Sequence, residues 1–104
     1  MKVAGIPFKE KLILLYDDDW KENIAKVSPS TRVPVLIDGD LTIWETMAIL
    51  EYLAERHPDK GLWPEDPTAR SMARSIANEM HAGFAALRGN MPMNIRKSHP
   101  SKGL

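Results

Sequence analysis

The clearest pattern of apolar and polar positions lies between residues 31 and 57. Two short apolar runs, 33–37 and 41–44, flank the pair Asp38-Gly39. Aspartate followed by glycine favours the positive φ that a tight turn between antiparallel strands requires. This stretch is therefore predicted to form a β-hairpin, with strands from Val33 to Ile37 and from Leu41 to Trp44.

A helix is predicted to follow the hairpin directly. Met47, Leu50 and Leu53 recur at helical spacing and form one apolar stripe, while the acidic residues of this stretch stay outside it. The helix is expected from Thr46 to His57, because Pro58 disfavours helical geometry at the residue before it.

Two further patterns predict elements before the hairpin. A strand from Phe8 to Leu15 would place Phe8, Leu12 and Leu14 on one side and Lys9 and Lys11 on the other. The spacing of apolar residues from Trp20 to Val27 predicts a short helix, with Asp19 placed to cap its first turn.

A long helix is predicted beyond a proline-rich connector, which spans residues 59–67. The pair Asp66-Pro67 is typical of a helix start, so this helix is expected from Thr68 to Arg88, before Gly89. The basic tail that follows shows no sustained periodicity and is expected to be a solvated end.

The long helix carries a stripe of large apolar side chains at four-residue spacing, formed by Met72, Ile76, Met80 and Phe84. Such a stripe far more often packs against protein than binds a ligand. We therefore expect further helices or a second subunit to cover it. His81 lies near the stripe. We expect His81 to lie at an interface with its hydrogen bonds satisfied. The alternative is that His81 faces a substrate pocket between domains.

Composition narrows the classes of function. The chain has 104 residues, 43% of them hydrophobic and 27% charged, which is ordinary for one small globular domain. Fourteen basic residues balance fourteen acidic ones, so no overall field attracts nucleic acid or an anionic membrane. No apolar run approaches the roughly 18 residues of a membrane span, and the N-terminus does not resemble a signal peptide. We expect a cytoplasmic protein that binds neither nucleic acid nor membrane.

The residue types that bind metals or perform thiol chemistry are few. The chain lacks cysteine, which excludes a disulfide framework and a cysteine nucleophile within these residues. His57, His81 and His99 lie on separate predicted elements without the spacing of a metal site, so no metal is expected. The run from Asp17 to Asp19 is expected to be a solvated turn rather than a cation site. Thiol chemistry would have to come from a ligand.

Two features near the hairpin point beyond packing. Pro34 lies inside a predicted strand, although proline in sheets is normally confined to edges, first positions and bulges. A cis Val33–Pro34 bond at the strand start would leave the main chain of Val33 free to meet a ligand, and an ordinary trans bond is the alternative. The second feature is the junction at Trp44-Glu45-Thr46, where the predicted strand is followed by the predicted helix without a spacer. A hydroxyl and free N–H groups there suit a carboxylate or phosphate, whereas simple capping by Thr46 is the other interpretation.

These residues resemble a known family. The run V-P-V-L-I-D-G-D, followed by an acidic residue, a hydroxyl residue and A-I-L-E-Y-L, is similar to the N-terminal thioredoxin-like domain of glutathione S-transferases. In that family the proline is cis and the residue before it pairs through its main chain with the cysteinyl part of glutathione. The acidic and hydroxyl residues hold the γ-glutamyl end. The resemblance therefore implies glutathione binding by Val33, Glu45 and Thr46, with Pro34 structural and threonine where the family more often has serine.

The resemblance covers nearly the whole chain and implies an α/β fold. Residues 1–58 would be an incomplete thioredoxin-like domain without its first strand and most of its first helix. Residues 59–67 would be a linker, and residues 68–104 the start of an all-helical domain similar to that of a bacterial branch. The unpaired strand edges of such an incomplete sheet are expected to drive self-association or rearrangement.

No catalytic residue is assigned. The family's thiol-activating tyrosine, serine or cysteine follows the first strand, in the segment that is expected to be absent. Tyr16 and Tyr52 lie in other elements. Near-background activity is therefore expected of this chain alone.

Two classes of function follow from the resemblance. The first is a glutathione transferase, homodimeric when complete, that joins the thiolate of glutathione to a small electrophile. The second is a non-catalytic transferase-like module that binds a thiol peptide or a protein partner, or a decayed gene fragment. The residues do not identify the electrophile. An in-frame upstream strand and helix start with a serine, tyrosine or cysteine would favour the enzyme, and a stop codon would favour the fragment.

Overall fold

The computed structural model describes residues 1–15 and 17–93. Helices and strands follow one another in the order α1 (Trp20–Ala25), β1 (Val35–Asp38), β2 (Leu41–Trp44), α2 (Thr46–Arg56), a 3₁₀ turn (Pro58–Lys60), α3 (Pro67–Ala82) and α4 (Ala85–Asn90). Strands and helices thus occur together, as an α/β fold requires. Within the described residues, no helix is both long enough and apolar enough to cross a membrane.

The predicted hairpin forms, but β1 begins at Val35 and not at Val33, so Pro34 lies before the strand. β1 and β2 are antiparallel, with Val35 opposite Trp44 and Asp38 opposite Leu41. The two loop residues are Gly39 and Asp40, one position later than expected, because Asp38 still pairs with the opposite strand. Gly39 has a φ of 59°, so glycine takes the first loop position, as in type II′ turns.

α2 packs against the hairpin and begins at Thr46 as predicted. Leu53 of its apolar stripe is buried, and the hydroxyl of Tyr52 donates a hydrogen bond of 2.7 Å to Asp38 Oδ2 at the end of β1. This bond ties the helix to the hairpin tip, while the other end of the hairpin leads directly into the helix. The buried apolar side chains among the described residues are Leu53, Ile6 and Ile24, of which only Ile24 is fully buried.

The predicted strand from Phe8 to Leu15 is wrong. The structure describes all of these residues, and none of them is in a strand. Alternation alone cannot make a strand, because each N–H and C=O of the strand needs a partner on a neighbouring one. The only sheet in the described part of the chain has two strands, both later in the sequence, and Leu12 is 77% exposed.

α1 begins at Trp20 as predicted but ends at Ala25, two residues earlier than expected. The N–H groups of Val27 and Ser28 both donate to the carbonyl of Ile24, which tightens the end of the helix into a turn. Asp19 occupies the position before the helix, yet its side chain forms no capping hydrogen bond. The expected role of Asp19 as a cap is therefore wrong.

The single helix predicted from Thr68 to Arg88 is two helices. Asp66 caps the first one as expected, since its side chain accepts a hydrogen bond of 2.7 Å from the N–H of Ala69. α3 then ends at Ala82 because Gly83 is extended, with φ −112° and ψ −158°. Phe84 is left-handed, with φ 61°, and α4 follows it.

α3 exposes the apolar stripe. Met72, Ile76 and Met80 are 61%, 58% and 51% exposed, and Phe84 lies in the break between the two helices rather than on α3. The expected cover by further helices or a second subunit stays a prediction. Tyr16 and the tail residues 94–104, which include Arg96, Lys97, His99 and Lys102, lie outside the described residues.

Candidate functional site

The hairpin register brings the four residues singled out from the sequence to one place. Because Val35 lies opposite Trp44, the residues just before β1 and just after β2 are at the same end of the hairpin. These residues are Val33-Pro34 on one strand and Glu45-Thr46 on the other. The Val33–Pro34 peptide bond is cis.

The main chain of Val33 is available to a ligand. Its side chain is half-exposed, and within the described residues neither its N–H nor its C=O forms a hydrogen bond. The preceding turn is fixed, since the buried hydroxyl of Ser28 donates to the carbonyl of Arg32 at 2.8 Å and accepts from its N–H at 3.1 Å. A fixed turn thus presents an unpaired peptide edge beside Pro34.

The start of α2 is a second group of free donors. The first hydrogen bond of this helix runs from the N–H of Ile49 to the carbonyl of Glu45, at 3.0 Å. The N–H groups of residues 46–48 therefore have no acceptor in the described residues, and the helix dipole makes this end favourable for an anion.

Simple capping by Thr46 is wrong. Thr46 is the first helical residue rather than the residue before the helix, and its hydroxyl forms no hydrogen bond within the described part of the chain. Glu45 occupies the capping position, but its side chain does not cap the helix either. The Thr46 hydroxyl and Oε1 of Glu45 remain available to a ligand.

Glu45 reaches across to α3. Its Oε2 lies 3.3 Å from Nε2 of His81, in the last turn of α3, and the two side chains are 49% and 40% exposed. A carboxylate only accepts, so Nε2 is the donor in this hydrogen bond. Sequence patterns gave no sign of the pair because its members are 36 positions apart on different elements. The contact agrees with the expectation that His81 lies at an interface.

α3 is attached to α2 by a second contact. The guanidinium of Arg74 donates two hydrogen bonds of 2.8 Å to the two carboxylate oxygens of Glu51, and it lies over the ring of Trp63, 5.6 Å from the centroid. Hydrogen bonding to Arg74 lowers the pKa of the Glu51 carboxyl against the opposing effect of burial, and the same bond raises the pKa of Arg74.

The buried indole nitrogen of Trp63 has no partner of regular geometry, yet it too helps to lower the pKa of Glu51. This cluster borders a cavity of about 250 Å³ between the end of α2, the connector and α3. The cluster links α3, the helix that carries His81, to α2 and to the connector.

Other candidate chemistry does not gather near this site. The residues that the structure describes include no group of three or more histidine, aspartate or glutamate side chains that could hold a metal ion. Tyr52 hydrogen-bonds to Asp38, which raises the pKa of its hydroxyl, and thus has a structural partner at the hairpin tip.

Comparison with known proteins gives a consistent result. The family model described as "Glutathione S-transferase, N-terminal domain" matches residues 1–56. A probable maleylacetoacetate isomerase of Caenorhabditis elegans is 31% identical over 87 residues, which is 84% of this chain and 41% of that protein. Glutathione S-transferase D7 of Drosophila melanogaster is 35% identical over 74 residues, 68% of this chain and 33% of that protein.

A bacterial relative is also similar. The dichloromethane dehalogenase of Methylorubrum extorquens is 35% identical over 65 residues, 61% of this chain and 23% of that protein. The chain thus spans less than half the length of these curated relatives, and no solved structure matches it. The family match confirms the predicted thioredoxin-like fold class. Since the relatives come from animals and a bacterium, likeness to a bacterial branch in particular stays a prediction.

Proposed function

The chain belongs to the glutathione S-transferase family, and from this premise we propose that the hairpin end at Val33-Pro34 and Glu45-Thr46 binds glutathione. One observation carries the proposal. The register of β1 and β2 brings an unpaired peptide edge and a free helix start together. Both features are matched by groups of this peptide ligand.

The two ends of the site suit different parts of glutathione. Its γ-glutamyl group carries a carboxylate, which the free N–H groups of α2 and the Thr46 hydroxyl would bind. The same group carries an ammonium, which would form an ion pair with the exposed carboxylate of Glu45. The cysteinyl part would form main-chain hydrogen bonds with Val33, as one strand does with another.

The proposed reaction is the conjugation that the family performs. The thiol of bound glutathione loses its proton to water, and the thiolate sulfur attacks an electrophilic carbon of a small substrate. A carbon–sulfur bond forms while the bond from that carbon to its leaving group breaks, and the leaving group departs with the electron pair of that bond. No residue of this chain is assigned to activate the thiol. We therefore propose that these 104 residues bind glutathione, and that the rate of conjugation by this chain alone stays near background. The non-catalytic alternative shares the binding site and differs only in the absence of turnover.

Assembly and location are also proposals. The exposed stripe of Met72, Ile76 and Met80 supports a homodimer in which a second copy covers it. A cytoplasmic location is expected from the sequence, and fractionation of cells that express the protein would check it.

A titration of the chain with glutathione, followed by amide NMR, tests the proposal. Saturable shifts at Val33 and at residues 45–48 are expected. S-methylglutathione should reproduce them, because the site holds the peptide rather than the thiol. Cysteinylglycine, which lacks the γ-glutamyl group, should bind far more weakly and leave residues 45–48 unshifted. Equal binding of both peptides, or no saturable shift with glutathione, would contradict the proposed site.

A further inference from the structure

Glu45 is held from outside its own element. It enters α2 with φ 69° and ψ 124°, and its side chain forms no bond to the helix start. Its contact among the described residues is with His81, through Oε2 at 3.3 Å. The second carboxylate oxygen, Oε1, has no hydrogen bond within that part of the chain.

We propose that His81 is a positioning residue for glutathione binding, acting through Glu45; this rests on the proposed function. An exposed glutamate side chain samples several rotamers, and binding a ligand in one of them costs entropy. A hydrogen bond from Nε2 to Oε2 selects one orientation of the carboxylate before the ligand arrives. Oε1 then remains free to accept the ammonium of the γ-glutamyl group.

Two contacts of α3 help to define where His81 lies. The Arg74–Glu51 pair attaches the middle of this helix to α2, seven residues before His81. At the helix end, the guanidinium of Arg88 donates to the carbonyls of Met80 and Gly83. Neither contact involves the imidazole of His81. The ring can therefore donate its hydrogen bond to Glu45 and orient the carboxylate.

The side chain of His81 offers little to stability. It is 40% exposed, and α3 contains no buried residue. Exposed pairs of this kind contribute little to folding. A change at His81 is therefore expected to appear in ligand affinity rather than in the unfolding of the chain.

Three substitutions separate positioning from packing. In His81→Gln the amide nitrogen reaches the place of Nε2, so this variant should bind glutathione like the unmodified chain. His81→Asn is too short, because its amide nitrogen corresponds to Nδ1, and should behave like His81→Ala. Both are expected to weaken glutathione binding about two- to fivefold, the range for an exposed charged hydrogen bond.

The dissociation constants are measured by NMR titration with glutathione. Asn78→Ala, one turn earlier on α3, removes a side chain bonded only to its own helix and serves as the matched control. It should leave the affinity unchanged. In the free chain, Glu45→Gln should shift the imidazole signals of His81, a readout that needs no ligand.

The outcomes distinguish two failures. If the unmodified chain binds no glutathione, the proposed function fails and the role of His81 fails with it. If the unmodified chain binds and His81→Ala binds equally well, only the role of His81 is overturned. Weakened binding by His81→Gln as well would also overturn it, since the effect would then follow the ring rather than the donor.

Discussion

At the scale of single residues, the candidate site depends on what Glu45 and Thr46 leave unsatisfied. A non-glycine residue with φ 69° is uncommon, and the strain of such a backbone costs on the order of 1–3 kcal/mol. The conformation turns the chain from β2 into α2 without a spacer, so that the start of the helix lies at the end of the hairpin. A strained residue at this point is thus compatible with a binding site.

Replacing Thr46 by alanine should weaken glutathione binding about ten- to hundredfold, because a hydrogen bond to a charged group contributes roughly 1.5–3 kcal/mol. Calorimetry on the two chains would measure the change. Thr46→Ser is the matched control, since it keeps the hydroxyl and should bind like the unmodified chain. Unchanged affinity in the alanine variant would exclude the Thr46 side chain from the site.

Single residues differ in how far the sequence predicts them. Local patterns were enough to single out three of them. Val33 was found because a proline follows it, and Glu45 and Thr46 because they lie where a strand passes into a helix. The partner of His81 could not be found in this way, because no periodicity links positions on separate elements. Its closeness to Glu45 depends on how α3 packs beside α2, which is a property of the folded chain.

At the scale of elements, local hydrogen bonding separates correct predictions from wrong ones. The hairpin and α2 contain their own partners, and their patterns placed them within two residues. The expected strand from Phe8 to Leu15 needed a neighbour that its own sequence could not supply. The break between α3 and α4 was missed because apolar spacing continues through Phe84 while Gly83 alters the backbone.

Gly83→Ala should destabilise the chain by about 1–3 kcal/mol, the usual cost of inserting an atom where there is no room. A Cβ at this position would lie 2.8 Å from the carbonyl oxygen of Glu79. Urea unfolding would measure the loss. Gly89→Ala, inside α4 with open space around it, is the control and should stabilise by roughly 0.5–1 kcal/mol. Equal effects of the two substitutions would contradict the need for glycine at the break.

The contact between α2 and α3 should make stability depend on pH. The pKa of the Glu51 carboxyl is lowered in the folded chain because Arg74 bonds to its ionised form. A lowered pKa stabilises the fold at pH values above the unfolded pKa. This stabilisation is lost as the pH falls through the lower, folded value. Because the pair is partly exposed, its contribution is small.

Glu51→Gln should therefore unfold at lower urea concentration than the unmodified chain at neutral pH. The difference should disappear in acid, below the folded pKa of Glu51. Glu79→Gln changes the same charge on an exposed side chain of α3 without an ion pair in the structure, and it should show no such difference at either pH. A Glu51→Gln penalty that persists in acid would mean that packing, and not the charge, holds the two helices.

At the scale of the whole molecule, the described residues bury little and expose much. Three apolar side chains of these residues are buried, whereas the stripe of Met72, Ile76 and Met80 is more than half exposed. The family and its fold class could be predicted from one motif, since that motif is local to the hairpin and α2. What covers the stripe could not be predicted, because apolar spacing shows that a helix face needs cover without showing which surface packs against it.

The last prediction concerns the behaviour of the 104-residue chain in solution. Exposed apolar side chains in a row favour association, so sedimentation should show oligomers whose fraction rises with concentration. Ile76→Lys, in the middle of the stripe, should raise the monomer fraction, since a charged group cannot be buried there without a partner. Ser75→Lys adds the same charge beside the stripe on α3 and should leave association unchanged.

A glutathione-conjugation assay on each form should stay near background, because dimer formation supplies no residue that activates the thiol. A stable monomer of the unmodified chain would remove the stripe as a contact, and normal turnover would show that a thiol-activating residue lies within these 104 positions.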